Sequence, residues 1–215
     1  MIRMLIADDH AVVRSGLKQM LSEYVDFSVA GEAANGLEVL KKLREQPYDL
    51  LLTDMAMPGR SGIELIKLVK AEHPKLAILV LSMHKEEQYA VRALKAGARG
   101  YLTKESAPDQ LVSAIRKVAG GGVFISASVA ERLALDLNGN HEADPHTLLS
   151  DREFQIFRMI VSGASLGSIA DELSLSVKTV STHKARILQK MQMTSSAELI
   201  HYAIRHQLLE LPDSV

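Results

Sequence analysis

Along the first 120 residues, short aliphatic or β-branched runs alternate with longer stretches in which apolar positions recur every three or four residues. The short runs predict strands at Arg3–Ala7, Phe27–Glu32, Asp49–Thr53, Leu76–Leu81 and Arg99–Leu102. The last four are nearly continuously apolar or short, as parallel strands covered on both faces are. Between the strands, Val13, Leu17 and Met20 share a helix face, as do Leu37, Leu40 and Leu43, then Ile63, Ile66 and Val69, and finally Leu111, Ile115 and Val118. Right-handed crossovers between such units predict an α/β doubly wound, five-stranded parallel sheet. Its ligand site must lie beyond the carboxyl ends of the strands.

The pattern changes after Val118. Gly120-Gly121-Gly122 is a break, Ser126 to Leu137 is weakly helical, and Asn138 to Pro145 is turn-rich and polar, as a linker is. From Ser150 onward the periodicity is helical only, with four helices expected near 151–162, 166–173, 177–191 and 196–208. Ser150 with Glu153 and Ser195 with Glu198 have capping-box spacing, and Ser176 is placed to cap the third of these helices. Ser174-Leu175-Ser176 joins the second to the third, a turn of the length that helix-turn-helix units use. The expected division is therefore a domain over 1–120, a linker with a short helix over 121–147, and an all-α four-helix domain over 148–215.

A chain of 215 residues with 47% hydrophobic and 24% charged residues suits two soluble globular domains. The lack of cysteine excludes disulfides, thiolate metal sites and a cysteine nucleophile, and favours a cytoplasmic protein. No apolar run approaches the ~18 residues of a membrane span, and the N-terminus is too short in apolar residues for a signal peptide, so no membrane partner is expected. The net charge of −1 argues against wholesale polyanion binding, yet it conceals a local basic patch. From Ser176 to Met193 the formal charges are Lys178, Lys184, Arg186 and Lys190, with no acid among them.

The doubly wound arrangement turns scattered polar residues into a candidate site. Asp8 and Asp9 end the first strand, Asp54 ends the third, Ser82 follows the fourth and Lys104 the fifth. Three adjacent carboxylates repel one another unless a cation intervenes, and hard oxygen ligands suit Mg²⁺. A hydroxyl and an ammonium opposite them are what the phosphoryl oxygens of an aspartyl phosphate need. Singly, each acid would read as a cap or loop carboxylate, Ser82 as a turn residue, Lys104 as a solvated cation and Tyr101 as a core aromatic. Their joint order at four strand ends favours a common site.

The segments Ala7-Asp8-Asp9-His10, Leu51 to Gly59, Leu81-Ser82 and Tyr101-Leu102-Thr103-Lys104 resemble a bacterial response-regulator receiver. The resemblance implies Asp54 as phosphoacceptor, Asp8, Asp9 and Asp54 as the Mg²⁺ ligands, and Ala56 giving its backbone carbonyl to the metal. It implies Lys104 pairing with the phosphoryl group, Ser82 hydrogen-bonding it, and Tyr101 as the aromatic whose rotamer follows the state of the site. Ala56 and His84 occupy variable positions that should influence dephosphorylation. Glu105 departs from many receivers, in which a proline follows the lysine.

Leu149 to Glu153, Ile169-Ala170, Leu173 to Ser176, Thr179-Val180, His183 and Ile187 to Met191 resemble the LuxR/NarL-type helix-turn-helix. Together the two matches resemble a two-component response regulator of the NarL/FixJ family. That family implies a sensor histidine kinase as phosphodonor, double-stranded DNA as target, a homodimer on DNA, and no enzyme activity on small substrates. On the third C-terminal helix, Val177, Val180, Ile187 and Met191 are spaced to form the buried face. Lys178, Lys184, Arg186 and Lys190 are expected to neutralise phosphates, with Ser181, Thr182 and Ala185 at base edges and Thr179 and His183 beside them. His183 reads equally as a cap or core-edge residue, and Arg152, Glu153 and Arg158 as surface charges. Two other readings share these features: an aspartyl-phosphate phosphohydrolase, disfavoured by Ala56 where such an enzyme needs a general acid, and a phosphorylation-independent DNA-binding protein.

Overall fold

The computed structural model describes residues 1–57, 62–83, 87–137, 145–173, 175–206 and 208. Pro58, Gly59, His84, Ser174 and the linker stretch 138–144 lie outside them. The chain divides into two compact units, residues 1–138 and 139–215.

In the first unit, strands β1 (Ile2–Ala7), β2 (Phe27–Ala33), β3 (Leu50–Thr53), β4 (Ala77–Ser82) and β5 (Gly100–Thr103) form one parallel sheet in the order β2-β1-β3-β4-β5. The connecting helices are α1 (Ala11–Leu21), α2 (Gly36–Glu45), α3 (Gly62–Glu72), α4 (Glu87–Lys95) and α5 (Pro108–Ala119). Alternation along each strand separates two cores. Leu5, Leu51, Ile78 and Val80 meet α2, α3 and α4 on one face, whereas Met4, Ile6, Leu50, Leu52 and Leu79 meet Leu21, Leu111, Ile115 and Val118 on the other. Each strand end matches its sequence-based expectation to within a residue. One helical assignment does not. Leu37, expected inside α2, is 64% exposed, and Val39 takes its place in the core beside Leu40 and Leu43. The inward positions of α4 are Ala90, Val91 and Ala93, two of them too small to give a strong apolar signal.

The segment after α5 also belongs to this unit. Gly121, at φ +90°, turns the chain back along β5. There the Phe124 N–H donates to the Arg99 carbonyl at 2.8 Å and the Tyr101 N–H to the Phe124 carbonyl at 3.2 Å. A Cβ on Gly100 would lie 3.1 Å from that same carbonyl, so glycine permits the approach. Helix α6 (Ala127–Leu137) follows, packs on α4 and buries Val129. Residues 121–137, which read as linker by composition, are thereby packed on the sheet domain.

The second unit starts with a 3-10 turn at Pro145–Leu148, then α7 (Asp151–Val161), α8 (Leu166–Glu172), α9 (Val177–Lys190) and α10 (Ser196–Arg205). Its core is Phe154, Ile156, Phe157, Ile169, Val180, Ile187, Leu199 and Ala203. Burial of each large side chain contributes roughly 1.5–3 kcal/mol. His146, wholly buried, ties the entry turn to α10 through a 2.6 Å contact between Nδ1 and the Tyr202 hydroxyl.

Ser150 and Glu153 form the expected reciprocal capping box. Ser195 accepts from the Glu198 N–H, but the Glu198 carboxylate turns to the Thr194 N–H and hydroxyl at 2.8 and 2.7 Å, so that box is not reciprocal. Val177, the first residue of α9, is 51% exposed, unlike the other three residues of its expected face.

Candidate phosphoacceptor site and DNA interface

The parallel ladder continues past the strand ends and sets the acidic site. The Asp8 N–H donates to the Ala33 carbonyl, the Asp54 N–H to Ala7 and the Lys104 N–H to Ser82, at 3.1, 2.8 and 2.7 Å. In this register Asp8 and Asp54 stand level with each other, and Lys104 follows two residues beyond Leu102, the residue level with Asp54. Asp8, Asp54 and Ser82 are buried, and Tyr101 is buried beside them in the α4 face of the core.

Lys104 joins the acids. Its Nζ lies 2.6 Å from Asp8 Oδ2 and 2.9 Å from Asp54 Oδ2. Burial alone would weaken its charge, but the hydrogen bonds it donates to both carboxylates and their negative charge outweigh that and hold its pKa above the ordinary lysine value. The second oxygen of Asp54 accepts from the Met55 N–H at 2.7 Å, which fixes the carboxylate plane and leaves Oδ2 to Lys104. Asp9 is the more open acid, with a side chain 31% exposed, and its Oδ1 lies 2.9 Å from His10 Nδ1. Ligand atoms of Asp8, Asp9 and His10 all fall within 4.8 Å of one another. Two hard carboxylates side by side, one of them partly open to water, fit a magnesium ion that keeps several waters.

In the second unit, α9 presents a graded surface. At roughly 100° per residue, Lys178, Thr182, Ala185 and Gln189 fall on one stripe, flanked by Ser181 and Arg186. All six are exposed, while Val180, Ile187 and Met191 line the opposite side. Thr179 and Lys184 are half-buried at the edges. His183 is turned inward: its Nδ1 is buried without a hydrogen-bond partner, and burial, then the Arg152 charge, lowers its pKa. Lys190 lies off the stripe, 2.6 Å from the carboxylate of Glu153.

Residues 4–116 match the response regulator receiver domain and residues 147–203 the luxR family of bacterial regulatory proteins. The chain is 39% identical to response regulator GacA of Pseudomonas viridiflava over 98% of its own length and 99% of the relative's. This chain is a response regulator with a LuxR-type DNA-binding domain. Among solved structures, the regulator superposes on Salmonella RcsB bound to the P1flhDC promoter with the phosphomimetic BeF3⁻, with TM-score 0.68 and 28% identity, covering 94% of this chain and 97% of that one. It superposes similarly on a structure of two RcsB dimers bound to two parallel DNAs, with TM-score 0.59 and 28% identity over 94% and 98% of the two chains. Among the described residues, no helix of the regulator is long and apolar enough to cross a membrane.

The fold brings Asp8, Asp9, Asp54, Ser82, Tyr101 and Lys104 to one end of the sheet, with Ala56 exposed nearby. His84 falls outside the described residues. Sequence reasoning missed Gln189, which completes the exposed stripe of α9 and whose only sequence signal is its spacing of four from Ala185. It also misjudged three charges of α7: Glu153 and Arg158 are buried, and Arg152 is half-buried, its guanidinium donating to the Leu173 carbonyl at 3.1 Å. Charged residues on a helix read as solvated until neighbouring parts of the fold are seen to cover them.

Proposed function

We propose that Asp54 accepts a phosphoryl group from a sensor histidine kinase, and that this charge controls binding of the C-terminal domain to double-stranded DNA. The observation that carries this reading is the buried Asp54 carboxylate, oriented by the Met55 N–H and met by the Lys104 ammonium. In the transfer, an Asp54 oxygen bonds to phosphorus as the P–N bond of a phosphohistidine breaks, and the imidazole nitrogen keeps the bonding pair. Asp8, Asp9 and Asp54, with the Ala56 carbonyl, would hold Mg²⁺, which when bound offsets the repulsion between carboxylate and phosphoryl oxygens. Lys104 leaves its bridge between the acids and pairs with a phosphoryl oxygen, and the buried Ser82 hydroxyl donates to another. Tyr101 follows as the switch aromatic, since it lies in the core shared by α4 and the start of α6.

We assign the receiver role to residues 1–120 together with the segment 121–137 packed on them, and the DNA-binding role to 148–215. On DNA, Lys178, Lys184 and Arg186 neutralise phosphates, while Ser181, Thr182 and Ala185 face base edges, joined by Gln189, whose amide suits adenine. Thr179 and His183 border this surface. The dimeric DNA complex of RcsB supports a homodimer on DNA, and a target of this kind places the regulator in the cytoplasm. Phosphate monoesters should not be turned over, because Ala56 supplies no general acid.

The test is labelling by acetyl phosphate in Mg²⁺. Wild-type chain should take up one phosphoryl group and Asp54→Asn none. Uptake by the variant at the wild-type rate would overturn the assignment.

A further inference from the structure

We propose that Lys190 is a positioning residue: its pair with Glu153 straps the C-terminal end of α9 to the first turn of α7, and DNA affinity depends on that strap rather than on a contact between Lys190 and phosphate. The inference rests on the reading of α9 as the helix that meets DNA. Three donors converge on one oxygen. Glu153 Oε2 accepts from the Ser150 N–H at 2.8 Å, the Ser150 hydroxyl at 2.9 Å and Lys190 Nζ at 2.6 Å.

The Glu153 side chain is 5% exposed and that of Lys190 40%, so the pair is buried at the acid and reachable by water at the base. A carboxylate in that position needs a cation, because burial without a partner strongly disfavours its charge. If Lys190 swung out to a phosphate, Glu153 would be left with the Ser150 donors alone. The pair therefore opposes the phosphate contact that the sequence suggests for this lysine.

The same turn of α7 also holds the end of α8. Arg152 donates to the Leu173 carbonyl at the close of α8, just before the turn that leads into α9. Adjacent residues 152 and 153 thus tie the end of α8 and the end of α9 to one turn of α7, and Ile187 and Met191 bury the C-terminal part of α9. A helix that reads bases through side chains of fixed length needs this placement, since a displacement of about 1 Å at a preorganised site loses its hydrogen bonds.

The experiment uses the full-length chain, a duplex it selects from a random pool, and binding measured across a range of salt. Lys190→Met should weaken binding about tenfold at every salt concentration, with the slope of log affinity against log salt unchanged. Glu153→Gln, which keeps an acceptor for Ser150, should weaken binding by a similar factor. The double variant should lose no more than either single one, and Lys190→Arg should restore most of the affinity. A phosphate contact gives the opposite pattern. Lys190→Met would then lower the slope by about one, and Glu153→Gln, by removing a negative charge near DNA, would tighten binding. Either result overturns the proposal.

Hydrogen exchange supplies an arm without DNA. Both single variants should speed exchange of the amides at the C-terminal end of α9, and unchanged exchange in both would also sink the strap. If the wild-type chain selects no duplex, the proposed DNA-binding function fails, and the exchange result alone decides the strap.

Discussion

Lys104 pairs with two buried carboxylates, Asp8 and Asp54. Lys104→Met should therefore destabilise the sheet domain by about 3 kcal/mol, as loss of one partner from a buried pair does. Mg²⁺ should recover part of that loss, because it replaces the missing positive charge, and thermal melts with and without the ion measure both effects. The pH dependence follows from the raised pKa. A base held above its ordinary value contributes stability fully below that value, roughly pH 10.4 for lysine, and the contribution fades as pH rises through the folded pKa. The stability gap between wild type and Lys104→Met should accordingly stay constant from pH 7 to about pH 10 and narrow above it. A gap that closes near neutrality would refute the pairing. Asp8, Asp9, Asp54, Ser82 and Lys104 were legible beforehand, since each stands at the end of an apolar run. The buried Glu153 and Arg158 were not, because nothing local distinguishes a covered charge from a solvated one.

Helix ends show how local chemistry becomes element stability. Ser150 and Glu153 satisfy each other's backbone N–H groups, whereas Ser195 caps its helix alone while Glu198 serves Thr194. Ser150→Ala should lower the opening free energy of the first-turn amides of α7 by about 1 kcal/mol or more. Ser195→Ala should cost less at α10, and hydrogen exchange at the two helices compares them. Equal losses would show that reciprocity adds nothing. The inner strands β3 and β4 were readable to within a residue because a parallel strand buried on both faces must be apolar throughout. Helix α4 was not, because Ala90 and Ala93 carry little side-chain hydrophobicity, and the inward set of α2 was misassigned at Leu37. A three- or four-residue spacing fits more than one face until the partner layer selects it.

Taken whole, the chain keeps its two charge systems apart in sequence. Acids cluster at strand ends in the first unit, cations on α9 in the second, and the net charge of −1 conceals both. A phosphoryl group on Asp54, as proposed, would add negative charge only to the first and would act through conformation or assembly. Beryllofluoride with Mg²⁺, which mimics the phosphoryl group, should shift the wild-type chain towards a dimer on gel filtration and tighten DNA binding. Asp54→Asn should show neither change. A wild-type elution volume and affinity indifferent to beryllofluoride would favour constitutive DNA binding.

Composition and periodicity alone determined the alternation of strands and helices, the all-helical end and the strand-end positions of the acidic residues, because backbone hydrogen bonding and burial act on neighbours a few residues apart. Tertiary structure decided the rest. Only the packed sheet places Lys104 between Asp8 and Asp54, fifty residues away from the latter. Only the approach of Phe124 to Gly100 assigns residues 121–137 to the receiver, and only the packing of α7 on α9 turns Lys190 from a free cation into the partner of a buried acid. Such contacts depend on which surfaces meet, and the free energy of covering a charge is settled by its neighbours in space.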